Sequence, residues 1–243
     1  MTSLHPKLAA FGPKLIIFDK DGTLIDFHAM WGGWLRRLGE RLESITGRPV
    51  AHPLFERMGF DPASGRIAPQ GHLAITPIPQ MRALTGQVLQ QAGLSAQAAE
   101  ALLSDNWRTP DPVTLARPLT NLERLFKTLR GHSLKIGVAT SGDRAPTEAL
   151  LAAQKVAPLI DSLICANDGI PIKPAPDMIL TLCRRLDVAP TRTAMIGDNP
   201  DDLKMAQAAG AGLKIGVLSG VSTQADLSPH ADLLLPSIDA ILQ

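Results

Sequence analysis

Two cysteines, Cys165 and Cys183, are all that 243 residues contain. They are too few for a disulfide framework and lack metal-type spacing. Both read as buried thiols in a reducing compartment. An excess of either charge is also missing: 24 Lys and Arg stand against 23 Asp and Glu, a formal net charge of +1. That balance removes the bulk electrostatic reason to expect nucleic acid or an anionic membrane as a partner. No apolar run approaches the roughly 20 residues of a membrane span. Residues 1–13 hold no long apolar region and no small-residue cleavage site, so no signal peptide is expected. No internal repeat or low-complexity tract appears. What remains is 45% hydrophobic, enough for a substantial core in one large domain or two small ones. The expectation is a cytoplasmic protein, monomeric or homodimeric.

One stretch organises the chain: Lys14-Leu15-Ile16-Ile17-Phe18-Asp19-Lys20-Asp21-Gly22-Thr23-Leu24. An unbroken apolar run that ends in a turn signal suits a strand buried on both faces of a parallel sheet. In open α/β sheets the chemistry gathers beyond the carboxyl ends of such strands. Period-2 alternation points Asp19 and Asp21 the same way, with Lys20 opposed. Two carboxylates that close repel unless a cation or a proton lies between them. The pair therefore points to a divalent metal site or to an acid/base pair. Lys20 itself is left as a cation among packed elements, in need of a carboxylate or a route to solvent.

Past Leu24 the pattern turns helical. From Ala29 to Thr46, Leu35, Leu38, Leu42 and Ile45 recur at helical spacing opposite Arg36, Arg37, Glu40, Arg41 and Glu43. Trp31 and Trp34 at its start read as a packed pair. Gly59–Gly71 is dense in turn formers and is expected as a loop or small ribbon. Helices are expected over Pro79–Gly93 and Ser95–Trp107, with Ser95 as N-cap. The prolines of Thr109–Pro118 close this helical insert as a linker. From there the chain alternates strictly. Helices at Thr120–Arg130, Ala145–Gln154, Pro176–Leu186 and Pro200–Ala209 separate strands at Leu134–Thr140, Leu159–Cys165, Thr193–Gly197, Gly212–Val217 and Ala231–Leu235. That alternation predicts a doubly wound parallel α/β sheet.

Three further polar clusters follow strands. Thr140-Ser141-Gly142-Asp143 offers a hydroxyl and backbone N–H groups to an oxyanion, or else a hydroxyl-bonded turn before a helix. Lys173 stands between prolines just before a helix, with Asp177 as a first-turn carboxylate. In Gly197-Asp198-Asn199-Pro200-Asp201-Asp202, Asn199 is an N-cap and Pro200 the first helical residue. Asp201 and Asp202 are then favourable first-turn charges, whereas the cap does not account for Asp198. Each cluster has a structural explanation alone. Their convergence on one edge of one sheet does not.

Through these residues the chain resembles the haloacid dehalogenase superfamily. Its Asp-x-Asp-Gly-Thr signature stands as Asp19-Lys20-Asp21-Gly22-Thr23, Thr140 matches the second motif, Lys173 the third, and Gly197-Asp198-x-x-x-Asp202 the fourth. The resemblance implies a Rossmann-like core with strand order 5-4-1-2-3. About a hundred residues separate the first and second motifs and about thirty the second and third, which implies an α-helical cap of the first type. The expected division is a core of 1–25 and 118–243 around a cap of 26–117. The Lys173-Pro174-x-Pro176-Asp177 run and the late Gly216-Val217-x-Ser219-Gly220-Val221 look like the phosphoglycolate phosphatase group.

The implied activity is Mg²⁺-dependent hydrolysis of a small phosphate monoester, phosphoglycolate or a similar acid or sugar phosphate. The resemblance makes Asp19 the nucleophile and Asp21 the acid and then base. Asp19 and Asp198 with the Asp21 carbonyl would hold Mg²⁺, with Asp202 as ligand or neighbour. Lys173 would offset charge beside Asp19, while Thr140 and the Ser141 amide would bind the transferring oxygens. Substrate contacts are expected from the cap, with His28, Arg36, Arg37, Arg57, Arg66, His72, Arg82 and Arg108 as candidates for a second anionic group. A phosphomutase on the same scaffold and a non-catalytic regulatory protein of this fold are the alternatives. A phosphonate lyase is disfavoured, because it would need a lysine in the cap.

Overall fold

The apolar run Leu15–Phe18 forms strand β1, and all four of its residues are buried. A computed structural model describes residues 3–242 of the chain. Five more strands join β1: β2 (Lys135–Ala139), β3 (Ser162–Ile164), β4 (Thr193–Gly197), β5 (Leu213–Val217) and β6 (Leu233–Leu235). They lie in the order β3-β2-β1-β4-β5-β6, and every neighbouring pair is parallel. Reversed, this is the expected 5-4-1-2-3 arrangement with a sixth strand on the β5 edge. β1 is central, with Leu15 registered between Lys135 and Thr193, and Phe18 between Val138 and Ile196.

The pleat sorts the side chains of β1. Leu15 and Ile17 pack with Met178, Ile179 and Leu182 of helix Asp177–Leu186 and with Met205 and Ala206 of helix Pro200–Ala208. Phe18, on the alternate register, meets Phe126 of helix Leu122–Gly131 at 5.4 Å between ring centroids. Each such fully buried side chain stabilises the fold by roughly 1.5–3 kcal/mol. Covering both faces is what a continuous apolar strand requires. Cys165 and Cys183 are buried free thiols in this core.

The chain divides into two compact units, one made of residues up to Asp26 and from Pro112 onward, the other of Phe27–Asp111. Residues 112–117, expected in the linker, thus lie with the sheet unit. Pro112–Leu115 is a helical turn there. Where the chain leaves and re-enters the sheet unit the two strands of chain are hydrogen-bonded. Asp26 N–H donates to Arg117 O (2.8 Å) and Leu119 N–H to Leu24 O (3.0 Å).

The unit 27–111 is built from helices Gly33–Thr46, Ala51–Met58, Ile78–Gln91 and Ala96–Asn106 with a two-stranded antiparallel ribbon, Phe60–Asp61 and Arg66–Ile67. Ser95 caps its helix as expected, its Oγ accepting from Ala98 N–H at 3.1 Å. A π-helical turn, His28–Gly32, precedes the first long helix. Leu35, Leu38 and Leu42 are buried, but Ile45, expected on the same stripe, is 53% exposed because the helix ends one residue later. Trp31 and Trp34 do pack, edge to face at 5.9 Å, and Trp34 packs again on Trp107 at 5.2 Å. No helix among the described residues is long and apolar enough to cross a membrane.

Candidate active site

β1 and β4 deliver two acids side by side. Asp19 continues β1 by one residue, its N–H donating to Ile196 O of β4 at 2.9 Å. Asp198 follows β4 directly. At Asn199 the chain turns into helix Pro200–Ala208. Asn199 Oδ1 accepts from Asp201 N–H, and the Asp202 carboxylate accepts from Asn199 N–H at 3.1 Å. This reciprocal capping box turns Asp202 back toward the strand ends. Asp201 points out instead and pairs with Lys204 at 3.1 Å, both half-exposed. Asp19, Asp198 and Asp202 are all buried, with carboxylate oxygens within 4.8 Å of one another.

One cation lies among them. The Lys173 ammonium pairs with Asp19 Oδ1 and sits 2.6 Å from Asp202 Oδ1. Lys173 precedes a cis peptide to Pro174, and Asp177 opens the following helix as a first-turn acid. Burial pulls the ammonium toward neutrality, but Asp19 and Asp202 overcome it and hold Lys173 charged above its ordinary range. Burial raises the Asp19 carboxyl; Lys173 opposes that while Asp202 and Asp21 add to it, leaving it pushed up to about 7. Burial and the charges of Asp19 and Asp202 push Asp198 well above the usual carboxylate range too. One ammonium is thus too little positive charge for three buried carboxylates. A hard divalent cation is the complement that such an oxygen set fits.

Asp198 is also shaped from the side. Thr23 Oγ1 donates to its Oδ1 at 3.3 Å. Gly22, at φ +93°, and Gly220 both abut the carboxylate: a Cβ on Gly22 would lie 2.4 Å from Asp198 Oδ2, and one on Gly220 1.7 Å from it. Ser219 Oγ donates to Gly22 O at 2.7 Å, tying the loop after β5 to the loop after β1. In sequence, Ser219 and Gly220 stand out only through the likeness of their stretch to the phosphoglycolate phosphatase group. Their approach to Asp198 joins segments far apart in the chain, so no local pattern announces it.

The turn after β2 places Thr140 beneath the surface, its Oγ1 accepting from Gly142 N–H at 3.0 Å. That is the hydroxyl-bonded turn that was one of its two readings, and it leaves the hydroxyl hydrogen available to an oxyanion. Ser141 is exposed beside it. Arg144 then bridges β2 and β3. Its guanidinium takes Asp168 in a two-pronged pair at 2.7 and 2.5 Å, and its N–H donates to Asn167 Oδ1 at 3.0 Å. The hydrogen bond from Arg144 comes first in holding the Asp168 carboxyl below its usual range.

Lys20 finds the carboxylate it needs, but not on the side where alternation sets it. Alternation sets it opposite the two acids, yet its ammonium meets Asp21 Oδ2 at 2.5 Å. Strand β1 ends at Phe18 and Lys20 lies in the bend beyond it, so strand alternation no longer governs it, and its four-carbon stem reaches Asp21.

In the unit 27–111, most candidate cations are engaged within the unit. His28 Nδ1 accepts from Ile67 N–H (3.0 Å), Arg36 donates to Pro62 O (2.6 Å), Arg57 to Gln87 (3.1 Å) and Arg82 to Glu100 (2.7 Å). His72 meets Thr76 at 2.9 Å, and Arg108 donates to Trp107 O at 2.8 Å. Arg37 and Arg66 are exposed.

A sequence model of the haloacid dehalogenase-like hydrolases matches residues 13–210, a span that holds Asp19, Asp21, Thr140, Lys173, Asp198 and Asp202 and ends before Ser219 and Gly220. The chain is 27% identical over 237 residues to validoxylamine A 7'-phosphate phosphatase of Streptomyces hygroscopicus subsp. limoneus, covering 94% of this chain and 95% of that one. It is 27% identical over 202 residues to phosphoglycolate phosphatase of Rhodospirillum rubrum, covering 82% and 77%. Among solved structures, a HAD-superfamily hydrolase of subfamily IA from Geobacter sulfurreducens superposes with a TM-score of 0.61 at 16% identity, covering 93% of each chain. A Thermotoga maritima protein provisionally assigned as a β-phosphoglucomutase superposes at 0.65 with 19% identity, covering 94% and 96%. Those two likenesses speak to the fold. The family match extends over most of the chain, and this protein belongs to the haloacid dehalogenase-like hydrolases.

Proposed function

We propose that this haloacid dehalogenase-like phosphatase hydrolyses a small phosphate monoester with Mg²⁺, by way of a phosphoryl group carried on Asp19. The observation that supports this most is the cluster at the ends of β1 and β4. Asp19 is paired to Lys173, and Asp198 and Asp202 lie within 4.8 Å of it. Phosphate monoesters resist hydrolysis because an anionic nucleophile must approach an anionic phosphoryl group and a poor leaving group must depart. Each need has a residue here.

Asp19 attacks phosphorus in line, and the ester P–O bond breaks with its electron pair on the leaving oxygen. Asp21 gives that oxygen a proton. Water then attacks the phosphorus of the aspartyl-phosphate, yields its proton to Asp21, and restores Asp19 as phosphate leaves. Lys173 offsets charge beside Asp19 throughout, and the Thr140 hydroxyl and Ser141 amide donate to the transferring oxygens. Asp19 and Asp198, with the Asp21 carbonyl, are the groups to hold Mg²⁺. Asp202, engaged by Lys173 and by its capping box, orients the set. The ion, when bound, supplies electrostatic stabilisation of the charge on the phosphoryl oxygens.

The same reading takes residues 27–111 as the cap, with the substrate a small acid or sugar phosphate such as phosphoglycolate. Arg37 and Arg66 are the cap cations proposed for a second anionic group. It places the protein in the cytoplasm, where such metabolites occur. The test is phosphate release from a panel of metabolite monoesters, with Mg²⁺ and with EDTA. Release that requires Mg²⁺ supports the reading, and a panel wholly inert with Mg²⁺, or release undiminished in EDTA, defeats it.

A further inference from the structure

The lysine between the two signature acids is accounted for by nothing in the reaction above. Lys20 is 5% exposed. A charge that deeply placed is held only by a partner, and its partner is Asp21 Oδ2, at 2.5 Å. The path of the stem is also defined. Lys20 Cε lies 3.4 Å from where a Cβ on Gly142 would be, as does Thr140 Oγ1. The side chain therefore runs against the Thr140–Gly142 turn at the end of β2 and returns its ammonium to the loop after β1.

The second oxygen of Asp21 is the complementary observation. Oδ1 is buried and has no hydrogen-bond partner among the described residues. A carboxylate can exchange its two oxygens by rotating about its last bond, and that torsion is soft. A charged donor fixed on one oxygen removes the freedom. Here the donor is on Oδ2, and the oxygen left open is Oδ1.

We infer that Lys20 is a positioning residue that anchors Asp21 through Oδ2, so that Oδ1 is the oxygen that carries the proton. The inference rests on the phosphatase reading. In the first half-reaction the proton passes from Oδ1 to the leaving oxygen as the P–O bond breaks. In the second the proton lost by the attacking water returns to Oδ1. Lys20 keeps its charge in both.

The test compares Lys20→Met, Lys20→Arg, Asp21→Asn and wild type, as the full chain with Mg²⁺, on two esters. p-Nitrophenyl phosphate has a leaving group that departs without protonation, and a simple alkyl phosphate has one that needs it. kcat/KM reports the steps through departure of the leaving group, and its ratio between esters does not depend on how much of a preparation is folded. Proton transfer by a positioned side chain is worth about 10²–10⁴-fold. Lys20→Met is expected to lower kcat/KM for the alkyl ester at least tenfold more than for the nitrophenyl ester. Asp21→Asn should show the same bias more strongly, and Lys20→Arg should reverse much of it. Equal losses on both esters with Lys20→Met, or no loss on either, would overturn the role given to Lys20 while leaving the phosphatase reading intact. Wild type inert toward both esters, or Asp21→Asn without bias, would instead overturn the reading beneath it.

Discussion

Gly220 lies so close to Asp198 that a Cβ there would stand 1.7 Å from Oδ2, a distance no side chain tolerates. Twenty-two positions apart in sequence, the two residues meet because β4 and β5 are parallel neighbours and both loops rise from the same sheet edge. The contact fixes how the carboxylate is presented. Gly220→Ala should displace Asp198 without disturbing the sheet. Supporting residues around a metal site typically matter by 10–100-fold in affinity, and a loss of roughly that size is expected in calorimetric Mg²⁺ or Mn²⁺ titrations. Unchanged affinity would show that Asp198 does not depend on this packing.

The acids are poised against the fold. Asp19 titrates at about 7 in the folded chain against an ordinary 3.8, and Asp198 is raised as well. Between those values the folded state keeps protons that the unfolded chain has released, so stability falls as pH rises. The contribution is whole below 3.8 and gone above about 7. Carboxyls held low, such as Asp168 and Asp232, act oppositely, losing their contribution as pH falls through their depressed values. In EDTA the protein should melt at higher temperature at pH 5 than at pH 7.5. A profile rising over that interval would contradict the burial argument.

Asp198→Asn follows from the same imbalance. Removing one of three crowded charges should stabilise the metal-free protein at pH 7.5, by about 2–4 °C for each kcal/mol in a chain of this size. Mg²⁺ should then raise the melting temperature of wild type but not of the variant. Thermal melts with and without Mg²⁺ decide it, and a less stable metal-free variant would refute it.

Lys173→Met should do the reverse. It leaves Asp19 and Asp202 facing each other without the ammonium that now sits 2.6 Å from Asp202 and pairs with Asp19. Breaking a buried pair costs about 3–5 kcal/mol. Urea unfolding in EDTA at pH 7.5 should show a loss of that order, and an unmoved midpoint would mean the lysine carries no such load.

Much of this was legible in the sequence where local physics decides. Thr193–Gly197 reads as a strand with the bounds it has, because five apolar or small residues end at a capped helix start. Asn199 and Pro200 announce that start. The π turn before Gly33 and the helix Ala51–Met58 were not legible; the latter is short and carries Pro53. Alternation misplaces Lys20 because the strand ends at Phe18 and Lys20 lies in the bend after it. Gly220 and Ser219 act through contacts between distant segments, and composition carries no trace of them. The eight cap cations looked alike in sequence, and only their partners within the unit separate Arg37 and Arg66 from the rest.

The proposed hydrolysis turns on a phosphoryl group carried by Asp19. Turnover of a hydrolysed ester in Mg²⁺ can be quenched in acid and treated with borohydride, which reduces an acyl phosphate to an alcohol, and the peptides read by mass spectrometry. Homoserine is expected at position 19 in wild type, and none without Mg²⁺ or in Asp19→Asn, which should also lose roughly 10³-fold or more in phosphate release. Undiminished phosphate release by Asp19→Asn, or an acyl phosphate trapped at another acid, would contradict that role of Asp19.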